Sequence, residues 1–198
     1  MRKNIFLLLI VLFFQAASFG QNSNLQQLID SATSSSGLFV SAKPLAHFGL
    51  NEGDTSEYQE YLKEVSGTVV STQTFVELVA NSENVDTTNW TDDELKNFIL
   101  IKPGDDFVYK KDVFKKFHVT DKKQEKYYRK IVSDFNYTSS WDKNIYFFSK
   151  PVFDDTKQFA IVRYDNGHSG LAGGGSVTLY HFENNAWRKI GNIETWVY

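Results

Sequence analysis

The sequence predicts an α+β fold: a helical N-terminal half packed on a C-terminal antiparallel β-meander of about four strands. Two observations carry this. Apolar residues recur at helical spacing up to about residue 135, then give way to runs of β-branched and aromatic residues. Short turn signals separate those runs, so strands adjacent in sequence pair antiparallel. The hydrophobic fraction of 41 % and the 31 aromatics (17 Phe, 10 Tyr, 4 Trp) supply a core and exclude wholesale disorder.

The helices are read in order. Leu25, Leu28 and Ile29 share one face within 24–34, which ends in a serine run before Gly37. Asp54 opens a capping box with Glu57, and Tyr58, Tyr61, Leu62 and Val65 form the stripe that follows, up to Gly67. Phe75, Val76, Leu78 and Val79 suit a short helix. Thr91 and Glu94 make a second capping box, ahead of a helix carrying Leu95, Phe98 and Ile99 that Pro103-Gly104 stops. A last helix spans about 121–135, with Tyr127, Tyr128, Ile131, Val132 and Phe135 on one side.

The strands are predicted at 145–153, 159–164, 177–182 and 187–197. Pro151 cannot donate to a ladder and marks an edge, and Gly191 marks a bulge in the last strand. Helices followed by strands place the helices on one face of the sheet. The expected organisation is a signal peptide over 1–20 and one domain over 21–198, mainly helical over 21–141 and a β-meander over 142–198.

Arg2 and Lys3 precede an unbroken apolar run from Ile5 to Phe14, followed by Ala16, Ala17, Ser18 and Gly20. That is the pattern of a secretory signal peptide cleaved between Gly20 and Gln21, and the run is too short to span a bilayer. The expected location is secreted or periplasmic, with no transmembrane segment after cleavage. No cysteine is present, so disulfides and lipid attachment at a cysteine are excluded.

Charge is unevenly spread. Residues 21–105 carry 13 acidic and 4 basic side chains, and residues 106–141 carry 5 acidic and 9 basic. The whole chain is net −3, falling to −5 without Arg2 and Lys3, which argues against nucleic-acid binding. The basic zone 110–130 is read as a solvated helix face that complements the acidic zone of the same molecule; its functional alternative is a docking face.

Chemistry-bearing motifs are few. The stretch from Asp165 to Ser176 holds five glycines and reads as a long loop between two strands. Its Gly167, His168, Ser169, Gly170, Gly173, Gly174 and Gly175 are the candidate binding residues, because glycine permits positive φ and close backbone approach. Strands flank it on both sides, so neither a dinucleotide loop nor a nucleophile elbow fits. His168 and Asp165 are the weak catalytic candidates. His47, His118, His168 and His181 show no metal-ligand spacing, and Asp154-Asp155 reads as a turn, so no metal or cofactor is expected. Trp187, Trp196 and Tyr198 either pack the helix–sheet interface or line a sugar platform.

Several C-terminal segments recur together: Phe148-Ser149-Lys150-Pro151-Val152-Phe153, Ala160-Ile161-Val162, the stretch Gly170 to Gly175, Trp187-Arg188-Lys189-Ile190, and Trp196-Val197. In that order they resemble a widespread group of secreted, functionally uncharacterised proteins of Bacteroidota-type bacteria. The match covers about 50 of 198 residues. In that group the hairpin loop often reads Cys-Gly-x-Leu-Cys-Gly; here the cysteine positions fall on His168 and Ala172, and the usual final serine is Tyr198. The resemblance implies secretion and a β-meander and brings no activity with it.

The reading is therefore a secreted or periplasmic, non-catalytic binding or interaction domain that meets an unidentified ligand or protein partner through the stretch 165–176. The alternatives are a small secreted hydrolase using His168 and Asp165, and a structural or inhibitory partner protein docking through the basic zone 110–130.

Overall fold

The computed structural model describes residues 25–32, 38–50, 52–140, 142–168 and 172–197. Among these, helix α1 covers 25–32, followed by strand β1 (Phe39–Ser41), helices α2 (Thr55–Ser66) and α3 (Thr72–Ser82), and strand β2 (Ile99–Ile101). Helices α4 (Lys110–Lys116) and α5 (Lys122–Tyr137) come next. Strands β3 (Ile145–Phe148), β4 (Val152–Phe153), β5 (Phe159–His168), β6 (Ala172–Glu183) and β7 (Ala186–Val197) complete the fold. The class is α+β. The sheet has seven strands rather than about four, in the order β2-β1-β3-β5-β6-β7, with β4 beside β5.

The sheet is also mixed rather than antiparallel, because β1 pairs parallel with both β2 and β3. Both β1 and β2 come from the half read as mainly helical. Each has three residues, too few for a period-2 pattern to show. The Thr91–Glu94 box does form: Thr91 N–H donates to Glu94 Oε2 at 2.9 Å, and Glu94 N–H to Thr91 Oγ1 at 3.3 Å. It caps only a turn, and the chain leaves through Phe98 into β2, so the predicted helix there is absent.

At α2 the helix forms where expected, but the Asp54–Glu57 capping box does not, since the Asp54 side chain makes no cap hydrogen bond. Gly67, at φ 68°, ends α2, and the Asp121 carboxylate caps α5 by accepting from Lys123 N–H and Gln124 N–H. The run 145–153 is broken into β3 and β4 at Ser149–Pro151. Ser149 repairs the ladder there: its N–H donates to Arg163 C=O and its hydroxyl accepts from Arg163 N–H, both at 2.9 Å. Strand β4 pairs only with β5, in line with the edge position read from Pro151. Gly191 sits beside a register shift in β7, where a Cβ would come within 2.6 Å of Leu62 on α2. The bulge lets β7 twist beneath that helix.

Helices cover both faces of the sheet, not one. Val40, Phe148, Ala160, Val162 and Tyr180 point to the face covered by α1 and by the segment carrying Trp90 and Leu95. Ile161, Val177, Leu179 and Ile193 point to the other face, under α2 and α3. Register carries that second face across the sheet, since Ile145 pairs with Gly167 and Phe147 with Asp165, odd positions of β5 like Ile161. Ile145, Ile99 and Ile101 on it pack against Val113 of α4 and Val132 and Phe135 of α5. Thus α2–α3 and α4–α5 lie on one face, at opposite ends of the sheet.

Candidate functional site

The stretch 165–176 is mostly strand. Asp165 pairs with Gly175, Asn166 with Gly174, Gly167 with Gly173 and His168 with Ala172, so the expected loop shrinks to 169–171. Ser169 and Gly170 lie outside the described residues, as do residues 1–20 and Tyr198. The side chain of His168 is not among the described ones either. No positive φ occurs at the described glycines of this stretch; Gly49, Gly67 and Gly104 have it instead. What Gly174 and Gly175 supply is close approach. A Cβ on Gly174 would meet the Trp196 carbonyl oxygen at 2.7 Å, and one on Gly175 would collide with both the Trp196 ring and the Tyr164 carbonyl oxygen. The signal read as loop freedom is the space that Trp196 occupies. Gly175→Ala is expected to cost about 1–3 kcal/mol through overpacking. A chemical-denaturation midpoint equal to wild type would show that the indole moves aside freely.

The Trp196 ring also receives the Arg163 guanidinium, 4.8 Å from its centroid. Arg163 reaches the His47 carbonyl through Nη1 and lies 3.7 Å from Asp165 Oδ2. Asp165, only 8 % exposed, is held in this buried arrangement rather than displayed at a loop tip. Trp187 is buried in the core, so the sugar-platform reading fails. His181 is half-buried and stacked on Phe159 at 4.5 Å. Asp154 is buried in the turn it was assigned to, accepting from Phe159 N–H at 2.8 Å.

On the opposite face a cavity of about 170 Å³ separates Ser31 of α1 from Tyr164, Ser176, Thr178, Tyr180 and Lys189. Burial pushes the Tyr164 phenol up to about 12, helped by the nearby Tyr146 and Asp165; burial does the same to Tyr180 against its hydrogen bond with Thr178. Both phenols stay protonated at physiological pH. The cavity falls below the roughly 300–1,000 Å³ of ordinary small-molecule sites.

A larger cleft, about 810 Å³, lies along β2 at the end of the sheet. Its floor is Ile99–Ile101. One wall is the segment Asn89–Asp92, and the other runs from Phe107 to Lys116. Ile99 donates its N–H to Leu38 and Ile101 accepts from Ala42 N–H, so both residues turn their main chain toward β1. Alternation along a strand then points the N–H and C=O of Leu100 the other way, into the cleft. Lys116 ties the walls together by bonding Asp92 and the Leu95 carbonyl. Phe107 and Tyr109 stand exposed at the rim, 54 % and 59 %, with their rings edge to face at 5.2 Å. No histidine, serine or cysteine lines this cleft among the described residues. Sequence reasoning missed it because α4 and β2 were both missed; the one available signal was Ile99–Ile101 running directly into Pro103-Gly104.

The basic zone is assembled on α4 and α5, which meet through Phe117 stacked on Tyr128 at 4.8 Å. Lys116 is half-buried, correcting the expectation that it is a free surface charge. It is also the one residue of that zone whose ion pair reaches the acidic zone among the described residues. Among the described residues the ion pair that joins the two zones is Lys116–Asp92.

Among the described residues no cluster of His, Cys, Asp or Glu could hold a metal ion, and no helix is long and apolar enough to cross a membrane. Neither family models, curated proteins nor solved structures give a match to this chain.

Proposed function

We propose that this chain is an exported, non-catalytic binding domain, related to the secreted group that its C-terminal segments resemble, and that it captures an extended polypeptide segment along β2. The observation that carries the reading is the floor of the cleft: an outward-facing donor and acceptor on Leu100, beside a wall bearing the exposed aromatics Phe107 and Tyr109. An added strand supplies the complementary acceptor and donor, and its alternate side chains fall against the two walls. Asp105 and Asp112 at the cleft outnumber Lys102 once Lys116 is engaged by Asp92, which favours segments carrying Lys or Arg beside apolar residues. The signal-peptide pattern of residues 1–20 supports export.

The test is selection from an immobilised library of short unstructured peptides. Wild type is expected to enrich sequences with alternating apolar and basic residues. Leu100→Pro deletes the outward N–H without touching the ladder to β1, a place where an edge strand tolerates proline. It and Tyr109→Ala are each expected to weaken capture at least tenfold. Enrichment of no peptide, or equal capture by Leu100→Pro, would overturn strand addition as the mode of recognition.

A further inference from the structure

We propose that this protein forms a two-fold dimer in which the acidic outer face of α2 in one protomer lies on the basic outer face of α4 and α5 in its partner. This goes beyond the cleft reading and does not depend on it. The first support is placement. α2–α3 and α4–α5 cover the same face of the sheet at opposite ends. When two copies meet face to face, a two-fold axis lying between the helix pairs sets the α2 end of each over the α4–α5 end of the other. The same contact is then made twice, and the assembly closes.

The second support is charge. α2 displays Glu57, Glu60 and Glu64 to solvent against a single lysine, Lys63. α4 and α5 display Lys111, Lys115, Lys122, Lys123, Lys126 and Lys130, none of which makes an ion pair among the described residues. Isolated surface pairs contribute little, but several complementary charges brought together by symmetry act jointly and steer association.

The third support is exposed apolar surface at both ends. Tyr61 and Val65 share α2 with the glutamates, 46 % and 52 % exposed, and Val69, 77 % exposed, follows just past the end of the helix. Tyr127 and Tyr137, 58 % and 89 % exposed, fall on the same stripe of α5 as Lys123 and Lys130. Each charged face thus carries aromatic or aliphatic side chains that a partner would dehydrate. A second copy of this chain offers each face both the opposite charge and exposed apolar groups.

Sedimentation velocity over a concentration series tests this. Wild type at low salt is expected to move from monomer to dimer and no further. Dissociation is expected between about 0.1 M and about 1 M salt, where the screening length falls from about 10 Å to about 3 Å. Glu60→Lys with Glu64→Lys, and separately Lys126→Glu with Lys130→Glu, are each expected to weaken the dimer at least tenfold while leaving the thermal midpoint near wild type. Mixing the two reversed variants is expected to restore a one-to-one heterodimer, because both contacts of the closed pair become complementary again. A wild type that stays monomeric at low salt overturns the proposal, and its retention on anionic vesicles would then assign the basic face to lipid. Species larger than a dimer overturn the two-fold closure. Reversed variants that associate like wild type overturn the named surfaces.

Discussion

Truncation of Trp187 to alanine is expected to destabilise the protein by about 3–5 kcal/mol, the range for large aromatic deletions from a core. Trp187 is 8 % exposed at the start of β7, with Phe153 at 5.8 Å and Phe182 at 5.1 Å between ring centroids. These rings belong to the cluster that joins α1, the Trp90 segment and the sheet, so a void there is shared by three parts of the fold. The indole Nε1 is buried with no hydrogen-bond partner. Trp187→Phe therefore breaks no hydrogen bond, keeps an aromatic ring in place and is expected to cost less than half as much as alanine. Equilibrium denaturation with an unchanged slope reads both values. A loss under about 1 kcal/mol for alanine would mean that the surrounding rings collapse into the space.

How much of this was legible in the sequence depended on element length. Helices α2 and α5 spread their signals over several turns and were found in place, although of the α2 stripe only Tyr58 and Leu62 are buried while Tyr61 and Val65 are exposed. The hairpin β5–β6 was recognised, but its glycines were taken as loop. A glycine that makes room for a neighbouring strand's indole looks the same in sequence as one that permits a turn. Only the pairing of Gly175 with both Asp165 and Trp196 separates the two. Three-residue strands such as Phe39–Ser41 carry no readable period, and their parallel pairing depends on contacts far apart in the chain.

The sites divide in the same way. Asp165 was singled out for its place beside glycines and a histidine, and the structure holds it near Arg163. The cleft along β2 draws its walls from Asn89–Asp92 and Phe107–Lys116, which meet only after the sheet forms. The basic zone was visible as composition. That Lys116 is its one described residue with an ion pair to the acidic zone was not, because that depends on which helix faces turn outward.

Removing the Glu94 carboxylate is expected to be comparably costly. Lys150 is 7 % exposed, and its ammonium bonds Glu94 and lies 4.1 Å from the centroid of the Trp90 ring. Glu94→Ala leaves that cation buried without its counter-charge, for which about 3–5 kcal/mol is the usual loss. Lys150→Met is expected to cost far less, because it removes the buried charge and keeps the stem, while the Glu94 side chain, 29 % exposed, still reaches water. Burial by itself would raise the Glu94 pKa. The Lys150 hydrogen bond and the Thr91 N–H and hydroxyl outweigh it and hold the carboxyl below its ordinary 4.5. Below that value the unfolded chain binds the proton more readily than the folded one, so stability falls as the pH drops toward the folded pKa and is fully present above 4.5. Glu94→Gln retains an acceptor for Thr91 and removes the titration. Its stability is expected to be lower than wild type at neutral pH and to converge on it in acid. Parallel pH–stability curves for the two proteins would show that the pair contributes nothing to folding.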